Sequence, residues 1–259
     1  MERAFSPLHG QAALVTGAGR GIGRAIAERL AGLGATVLCV SRTQSELDET
    51  VRLAGPRAFA LALDVSAPDA AGRMLTGLQA RAGRLDILVH CAGIMQAGTM
   101  EQVDLANFDR AFAINVRAPY ALTRAAMVSL KRSRGQILFV NSSIVRASNT
   151  AGRGVHAAAQ AALKAIADSL RDEINDSGVR VLSIMPGRTA TPREEQRCAA
   201  EGRPYRPDWL LQPEDVAAVA CNALLLPRTA EPTDLFMRPM QKPPPAEPNS
   251  AVIGNNVEH

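Results

Sequence analysis

The chain has 259 residues, of which 47% are hydrophobic and 3% aromatic, and a formal net charge of +4. Such a length allows one large domain, while no apolar run reaches the ~18 residues of a membrane span and the first residues carry no apolar signal region. Dispersed arginines without stacking aromatics argue against nucleic-acid binding. The four cysteines and four histidines show no disulfide or metal-ligand spacing, so no metal is predicted. We expect a soluble, cytoplasmic protein that binds neither nucleic acid nor membrane.

The first predicted element is a short buried strand over residues 12–15, followed by a glycine turn and a helix over residues 24–33. Four glycines occupy the turn: Gly17, Gly19, Gly21 and Gly23. A dinucleotide pyrophosphate binds backbone N–H groups at a helix N-terminus, where a Cβ would block its approach. The stretch therefore predicts a dinucleotide-binding turn. A tight turn that uses glycine for structural reasons alone is the alternative.

The spacing Thr16-Gly17-x-x-x-Gly21-x-Gly23 resembles the classical short-chain dehydrogenase/reductase family, and the resemblance runs from about residue 9 to about residue 238. It implies a single doubly wound α/β Rossmann domain, with a seven-stranded parallel sheet in the order 3-2-1-4-5-6-7 and helices on both faces. It also implies hydride transfer between a nicotinamide cofactor and a small-molecule carbonyl or alcohol. On this pattern the cofactor-binding residues of the turn are Gly17, Arg20, Gly21, Ile22 and Gly23.

The resemblance also sets the domain limits and the expected assembly. We place the Rossmann domain at residues 1–239 and expect residues 240–259, which are Pro-rich and polar, to be a disordered tail. The family forms homodimers or homotetramers, packed through the helices that here contain Asn115 and His156.

The predicted second strand, residues 35–41, ends where a Rossmann fold meets the adenosine ribose. An acidic residue there selects NAD, but this chain has Ser41-Arg42. Arg42 can pair with a 2′-phosphate, and Arg20 stands where NADP-preferring family members often carry a second base. The pattern predicts NADP(H) rather than NAD(H). The alternative is that Arg42 is a solvated loop residue.

Two further strand ends resemble cofactor contacts of the family. The predicted third strand, residues 58–65, closes on Asp64-Val65, a pair that flanks the adenine ring in the family; Asp64 as a simple helix cap is the alternative. After the predicted fourth strand, residues 85–89, the family's Asn-Asn-Ala-Gly is replaced by His90-Cys91-Ala92-Gly93. Ala92 and Gly93 are retained, and their small size lets the cofactor ribose lie close to the backbone.

The proton-transfer residues depart from the family pattern. Asn115, in a predicted helix over residues 104–131, matches the asparagine that helps to hold a relay water, and Ser143, after the strand at 137–140, matches the serine that binds the substrate oxygen. In the register fixed by Ser143 and by the later strand at 179–186, the catalytic tyrosine is replaced by His156 and the lysine by Gln160. A spacing of four places both on one helix face.

This replacement leaves several hypotheses open. His156 can exchange a proton near neutral pH, or it is a helix histidine without a chemical role. Gln160 can bind a ribose hydroxyl but lacks the lysine's charge, and Lys164, one turn further along, is a candidate to approach the vacant position. The protein is a reductase with an atypical proton donor, a cofactor-binding pseudoenzyme that acts as partner subunit or sensor, or a protein with an engineered or decayed site.

The C-terminal third completes the predicted cleft. Pro186 and Gly187 resemble the segment that packs on the nicotinamide, and Thr189 or Thr191 binds its amide or a phosphate in the family. The next ~20 residues are predicted to form a mobile substrate lid. Its arginines could bind an acidic substrate, or they belong to a solvated charged loop; they are Arg188, Arg193, Arg197 and Arg203. Tyr205 and Trp209 are the lid's aromatic candidates to cover a substrate. A helix from Pro213 and a strand over residues 234–237 follow.

Overall fold

The computed structural model describes residues 6–241, so most of the predicted tail, residues 242–259, lies outside the described residues. The strands are β1 (Ala12–Thr16), β2 (Thr36–Ser41), β3 (Ala58–Ala62), β4 (Ile87–His90), β5 (Gln136–Val140), β6 (Arg180–Pro186) and β7 (Asp234–Met237). The α-helices are α1 (Gly21–Gly32), α2 (Gln44–Ala54), α3 (Ala70–Ala82), α4 (Leu105–Phe112), α5 (Ala118–Ser133), α6 (Gly154–Ile174), α7 (Pro192–Ala200) and α8 (Pro213–Leu224).

The strands form one parallel sheet in the order β3-β2-β1-β4-β5-β6-β7, which confirms the predicted topology. Alternate residues of each strand point to opposite faces: Ala13 and Val15 of β1 pack with α1 and α8, whereas Ala12 and Leu14 pack with α3, α5 and α6. Because both faces are covered, the central strands are continuous apolar runs. No helix within residues 6–241 is long and apolar enough to cross a membrane.

The predicted helix over residues 104–131 is interrupted. A π-helical turn, Ala113–Arg117, separates α4 from α5, and Asn115 lies buried within it. A π-turn widens the helix by one residue and breaks the regular hydrogen-bond ladder, and such turns are frequent at functional sites. Helical periodicity continues on both sides of the turn, so the apolar pattern alone does not reveal it.

The end of β4 is held by a buried histidine. The ring of His90 is stacked on Phe139 with centroids 4.8 Å apart, and its Nε2 lies 2.8 Å from the Thr123 hydroxyl oxygen. Burial lowers the pKa of His90 to about 3, so the ring is neutral at physiological pH. His90 thus occupies the place of the family's first asparagine as a packed, hydrogen-bonded core residue.

Replacing this ring tests its effect on acid stability. The pKa of His90 is 6.5 in the unfolded chain and about 3 in the native protein. Between these two values His90 is protonated only when the chain is unfolded, so the stability of the wild type should fall as the pH drops through that window. His90→Asn should lack this pH-dependent loss of unfolding free energy, which is on the order of a few kcal/mol near the lower pH limit of the window. Urea unfolding at pH 4–7 measures it. His9→Asn, at an exposed position, is the control, and equal pH slopes for His90→Asn and wild type would contradict the prediction.

Candidate cofactor cleft

The candidate residues meet at the carboxyl edge of the sheet, where the strand order reverses. β1 and β4 are neighbours, but α1 packs on one face and α5 on the other, so a crevice opens between the two strand ends. The glycine turn, the segment after β4, the Asn141–Ser143 segment after β5 and the Pro186-Gly187 segment after β6 all lie along this edge. The structure therefore brings the predicted sites together.

The glycine turn is packed against the chain's own backbone. Gly17 has φ +70°, and a Cβ on it would lie 2.7 Å from the Ala92 nitrogen. A Cβ on Gly23 would lie 2.2 Å from the Gly17 oxygen. Gly21, at φ +56°, faces the Thr191 methyl group. Close internal packing therefore already requires Gly17 and Gly23, as the structural alternative supposed.

The first helix, α1, begins at this turn without a side chain that caps its backbone amides. The N-cap of α1, Arg20, makes no side-chain capping hydrogen bond. The first-turn N–H groups of a helix have no intrahelical acceptor, and they attract anions. The start of α1 is therefore suited to a phosphate group.

Two residues that the sequence reasoning missed brace the turn. The buried Thr50 hydroxyl on α2 donates to the Ala18 carbonyl at 2.9 Å. Arg24 donates to the Gly19 carbonyl through Nε and Nη2, and its Nε lies 3.0 Å from the Thr50 hydroxyl oxygen. The signal in the sequence was the spacing of Thr50, which lies three residues after Leu47 and therefore on the apolar face of α2. Its role as a brace became visible only in three dimensions.

The adenosine end of the cleft contains both signs of charge. Arg42 is exposed and has no hydrogen bond or ion pair within residues 6–241. Arg20 pairs with Glu46 of α2 at 3.6 Å, and a Cβ on Gly19 would lie 2.7 Å from the Ser41 hydroxyl oxygen and 2.9 Å from Glu46 Oε2. The sequence reasoning missed this carboxylate because it comes from α2 rather than from the end of β2.

Asp64 caps a turn. Its Oδ1 accepts hydrogen bonds from the Ser66 amide at 2.8 Å and the Ser66 hydroxyl at 2.6 Å, and the hydroxyl bond is the main reason that the pKa of Asp64 is lowered. The helix that follows, α3, has Asp69 as its N-cap. Asp64 is thus a turn cap rather than the cap of α3.

The neighbouring Val65 lines a small cavity with Thr16 and His90.

The segment after β4 is held from two sides. The Thr16 hydroxyl accepts from the amides of Cys91 at 3.2 Å and Ala92 at 3.3 Å. On the other side, Asn115 accepts from the Ile94 amide at 2.8 Å and donates to the Ile94 carbonyl at 2.9 Å. These contacts fix the segment although both family asparagines are missing. Burial raises the pKa of the Cys91 thiol to about 12, so this cysteine is not a thiolate nucleophile.

The two α6 residues that the sequence predicts for proton transfer carry unpaired buried polar atoms. Nδ1 of His156 and Oε1 of Gln160 are buried without a hydrogen-bond partner in the described structure, and Gln160 is only 6% exposed. Both lie on α6, which is tied to the end of β5 by a bond from Asn141 Nδ2 to the Gln160 carbonyl at 3.1 Å. Buried polar atoms are normally hydrogen-bonded, so these two sites favour a ligand or water.

Electrostatics keep His156 neutral. Burial lowers its pKa, the nearby guanidinium groups of Arg193, Arg153 and Arg197 lower it further, and the pKa comes to about 4 despite an opposing hydrogen bond with the backbone of Ile94. Near pH 7 the ring is therefore a proton acceptor with little imidazolium present.

Lys164 does not replace the missing cation. Its ammonium pairs with Asp168 at 2.6 Å and Asp234 at 2.9 Å. Asp234 is opposite Ser183 in the middle of β6, so these carboxylates hold Lys164 away from the carboxyl edge. The hypothesis that Lys164 approaches the vacant position is wrong.

The lid contains a helix and an ion network rather than a solvated loop. Thr191 caps α7 by accepting from the Glu194 amide at 3.3 Å, and Glu194 binds Arg188 and Arg197, each at 2.7 Å. Burial acts to raise the pKa of Glu194, but these bonds hold it below its usual value. The sequence Thr-Pro-x-Glu, a capping pattern, was the signal that the sequence reasoning missed.

The remaining lid residues are arranged around α7. Arg203 pairs with Glu201, whereas Arg193 donates to the Gly93 carbonyl across the cleft. Trp209 closes a short 3₁₀ turn, Pro207–Trp209, before α8, and the Arg206 guanidinium lies 5.1 Å from its ring centroid. The Thr189 hydroxyl donates to the Gly187 carbonyl at 3.1 Å.

The packing of the turn predicts a sharp contrast between two glycines of α1. Gly23→Ala places a Cβ against the Gly17 carbonyl oxygen and should destabilise the fold by about 2 kcal/mol. Gly32→Ala, which meets nothing within 4 Å, should be neutral or stabilising by up to ~1 kcal/mol. Thermal unfolding of both variants measures the difference. Equal stabilities would show that the turn tolerates a side chain.

Comparison with known proteins agrees with this geometry. Residues 11–202 match the family model described as short chain dehydrogenase. A short chain dehydrogenase of Pseudocercospora fijiensis is 35% identical over 72% of this chain and 62% of its own length, so the chain spans less than two thirds of that relative. The (3R)-3-hydroxyacyl-CoA dehydrogenase of Homo sapiens is also 35% identical, over 71% of this chain and 75% of its own.

Solved structures show the same fold. A 3-ketoacyl-(acyl-carrier-protein) reductase from Brucella melitensis, complexed with NADH, has a TM-score of 0.79 at 27% identity, covering 88% of this chain and 97% of that one. A metagenomic short-chain oxidoreductase in complex with NADP has a TM-score of 0.78 at 30% identity, covering 92% and 100%. The chain belongs to the short-chain dehydrogenase family, whose members are oxidoreductases.

Proposed function

We propose that this protein is an NADP(H)-dependent oxidoreductase that acts on a carbonyl or alcohol, with His156 as its proton-transfer group. The observation that carries the proposal is the buried, unpartnered Nδ1 of His156 on α6, a residue that the sequence register assigns to the position of the family's catalytic tyrosine. Ser143 follows β5 at the same edge and is proposed to bind the substrate oxygen.

The residues present fit a dinucleotide. The uncapped start of α1 offers backbone N–H groups to a pyrophosphate, and Ala92 and Gly93 provide a surface without large side chains. Pro186, Gly187, Thr189 and Thr191 line the nicotinamide end, and Val65 and Asp64 the adenine end. When bound, the nicotinamide supplies or accepts the hydride.

The charges at the adenosine end support NADP(H) over NAD(H). The carboxylate of Glu46 is paired with Arg20, whereas Arg42, beside Ser41, forms no ion pair or hydrogen bond within residues 6–241 and acts on Asp64 only through the charge that lowers its pKa. A guanidinium binds a phosphate bidentately. Related structures contain NADH in one case and NADP in another, so the family alone does not decide the choice.

Proton transfer would run through a neutral imidazole. With a pKa of about 4, His156 accepts a proton at neutral pH, as alcohol oxidation requires. In the direction of carbonyl reduction, the protonated form that must donate grows as the pH falls toward 4. Gln160 has no charge to stabilise an oxyanion, but its unpaired Oε1 can accept a hydrogen bond from a ribose hydroxyl.

We also propose a homodimer or homotetramer that packs through the helices around Asn115 and His156. Several large apolar residues of α4 and α5 are exposed in the single chain: Leu105, Phe108, Tyr120 and Val128. Exposed apolar residues on adjacent helices are typical of an association surface.

The role of His156 can be tested by substitution. His156→Ala should slow alcohol oxidation by roughly 10²–10⁴-fold, the usual contribution of a general base, because Nδ1 is removed while the cofactor cleft is retained. Wild-type oxidation should fall as the pH drops through about 4, where the imidazole becomes protonated, and His156→Ala should lose this dependence. The measurement is the change in NADPH absorbance with ketones, aldehydes, quinones and 3-oxoacyl thioesters, run in both directions.

The double variant His156→Tyr/Gln160→Lys restores the family's residues and serves as the positive control. If it turns over substrate and the wild type only binds NADPH, the natural protein is a cofactor-binding pseudoenzyme. If His156→Ala matches the wild type, His156 has no role in proton transfer.

Cofactor choice has a separate test. Arg42→Ala should weaken NADPH binding by about tenfold, the value of a charge-assisted hydrogen bond, and leave NADH binding unchanged. Arg57→Ala provides a matched control, because Arg57 is exposed before β3 at the opposite edge of the sheet. Calorimetric titration gives the dissociation constants of both cofactors for each variant. If Arg42→Ala weakens NADH and NADPH binding equally, Arg42 contributes only general positive charge and does not bind the 2′-phosphate.

A further inference from the structure

The arginines of the lid differ in what they bind. Glu194 forms ion pairs with Arg188 and Arg197, and Glu201 forms ion pairs with Arg197 and Arg203. Arg193, on the same helix as Arg197, has no carboxylate partner within residues 6–241. Its one hydrogen bond goes from Nη2 to the backbone carbonyl of Gly93, which leaves its other N–H donors without a protein acceptor in that range.

The position of this unpaired cation is inside the cleft. Gly93 precedes Ile94, whose backbone contacts His156, so the two side chains meet consecutive residues of one segment. Arg193 is also the guanidinium with the largest effect on His156. Arg193 is exposed to solvent, and the protein packed around it, together with the charge of Arg20 in the glycine turn, lowers its pKa.

Positive charge accumulates here with no anion beside it. Arg20 and Arg193 repel each other, no carboxylate within residues 6–241 pairs with Arg193, and the thiol of Cys91 stays neutral. The buried Oε1 of Gln160 and Nδ1 of His156 also have no protein partner. A bound ligand with an anionic group beside a hydrogen-bonding group would satisfy the whole set.

Resting on the proposed function, we propose that Arg193 is the receptor for an anionic oxygen group bound in the cleft beside His156. The shared chemistry is a carboxylate or a phosphate, held by the planar fork of N–H donors that a guanidinium offers. Two sources can supply it: the pyrophosphate of the cofactor, or an acidic group on the substrate next to the reacting carbonyl. On binding, the guanidinium exchanges the Gly93 carbonyl for the anion, so that α7 contacts the ligand instead of the segment after β4.

The experiment compares wild type with Arg193→Gln, Arg193→Lys and the control Arg203→Gln by isothermal titration calorimetry. The probes are NADPH, inorganic pyrophosphate and oxamate, a small carboxylate, the last with and without NADPH. We expect at least one probe to bind Arg193→Gln about tenfold more weakly. Arg193→Lys should retain part of the affinity because it keeps the charge, and Arg203→Gln should match wild type.

The probes separate the two sources. Parallel losses for NADPH and pyrophosphate assign the anion to the cofactor, whereas a loss confined to oxamate assigns it to the substrate. If NADPH fails to bind wild type, the proposed function fails, and the pyrophosphate and oxamate titrations still test Arg193. The proposal is overturned if all probes bind Arg193→Gln as they bind wild type, or if none binds wild type. A lower melting temperature with unchanged binding would identify Arg193 as a structural latch, which also overturns it.

Discussion

The structure depends on a backbone contact that leaves no room for a side chain. The turn after β1 lies against the start of the segment after β4, so that Gly17 is next to the Ala92 amide, and Gly23 is next to Gly17 in turn. This contact sets the distance between α1 and the Ala92 segment, and thereby the width of the crevice at the switch point. Hydrogen bonds of Arg24 and Thr50 join the turn to α2, and α2 in turn forms the side of the cleft proposed for the adenosine.

The positive charge that acts most strongly on His156 belongs to α7. Among the guanidinium groups, that of Arg193 lowers the pKa of His156 most, whereas Gln160, which we propose stands at the position of the family's lysine, is neutral. Arg193 is held near His156 by its bond from α7 to the Gly93 carbonyl. Proton affinity at His156 is therefore coupled to how α7 lies, because each guanidinium that withdraws makes the imidazole more basic.

The sequence predicted the sheet order and the location of the cleft, since apolar strands and helical periodicity repeat through the whole domain. The replacement of the family's tyrosine and lysine by His156 and Gln160, which rests on a register fixed on both sides, stays a prediction. The sequence did not predict the side-chain pairing at the site. Glu46 and Lys164 are placed by long-range contacts between helices and strands, and their partners are far away in the chain. Sequence spacing carries no information on such pairs.

The 3₁₀ turn that ends at Trp209 has a practical consequence. Trp209 is the single tryptophan of the chain, it is half-buried, and it lies between α7 and α8 beside the Arg206 guanidinium. Indole emission depends on local polarity and on neighbouring charges, so the tryptophan fluorescence of this protein reports on the lid alone. When it is excited at the red edge of its absorption, where Tyr120 and Tyr205 do not absorb, any change at the lid can be followed optically in the unlabelled chain.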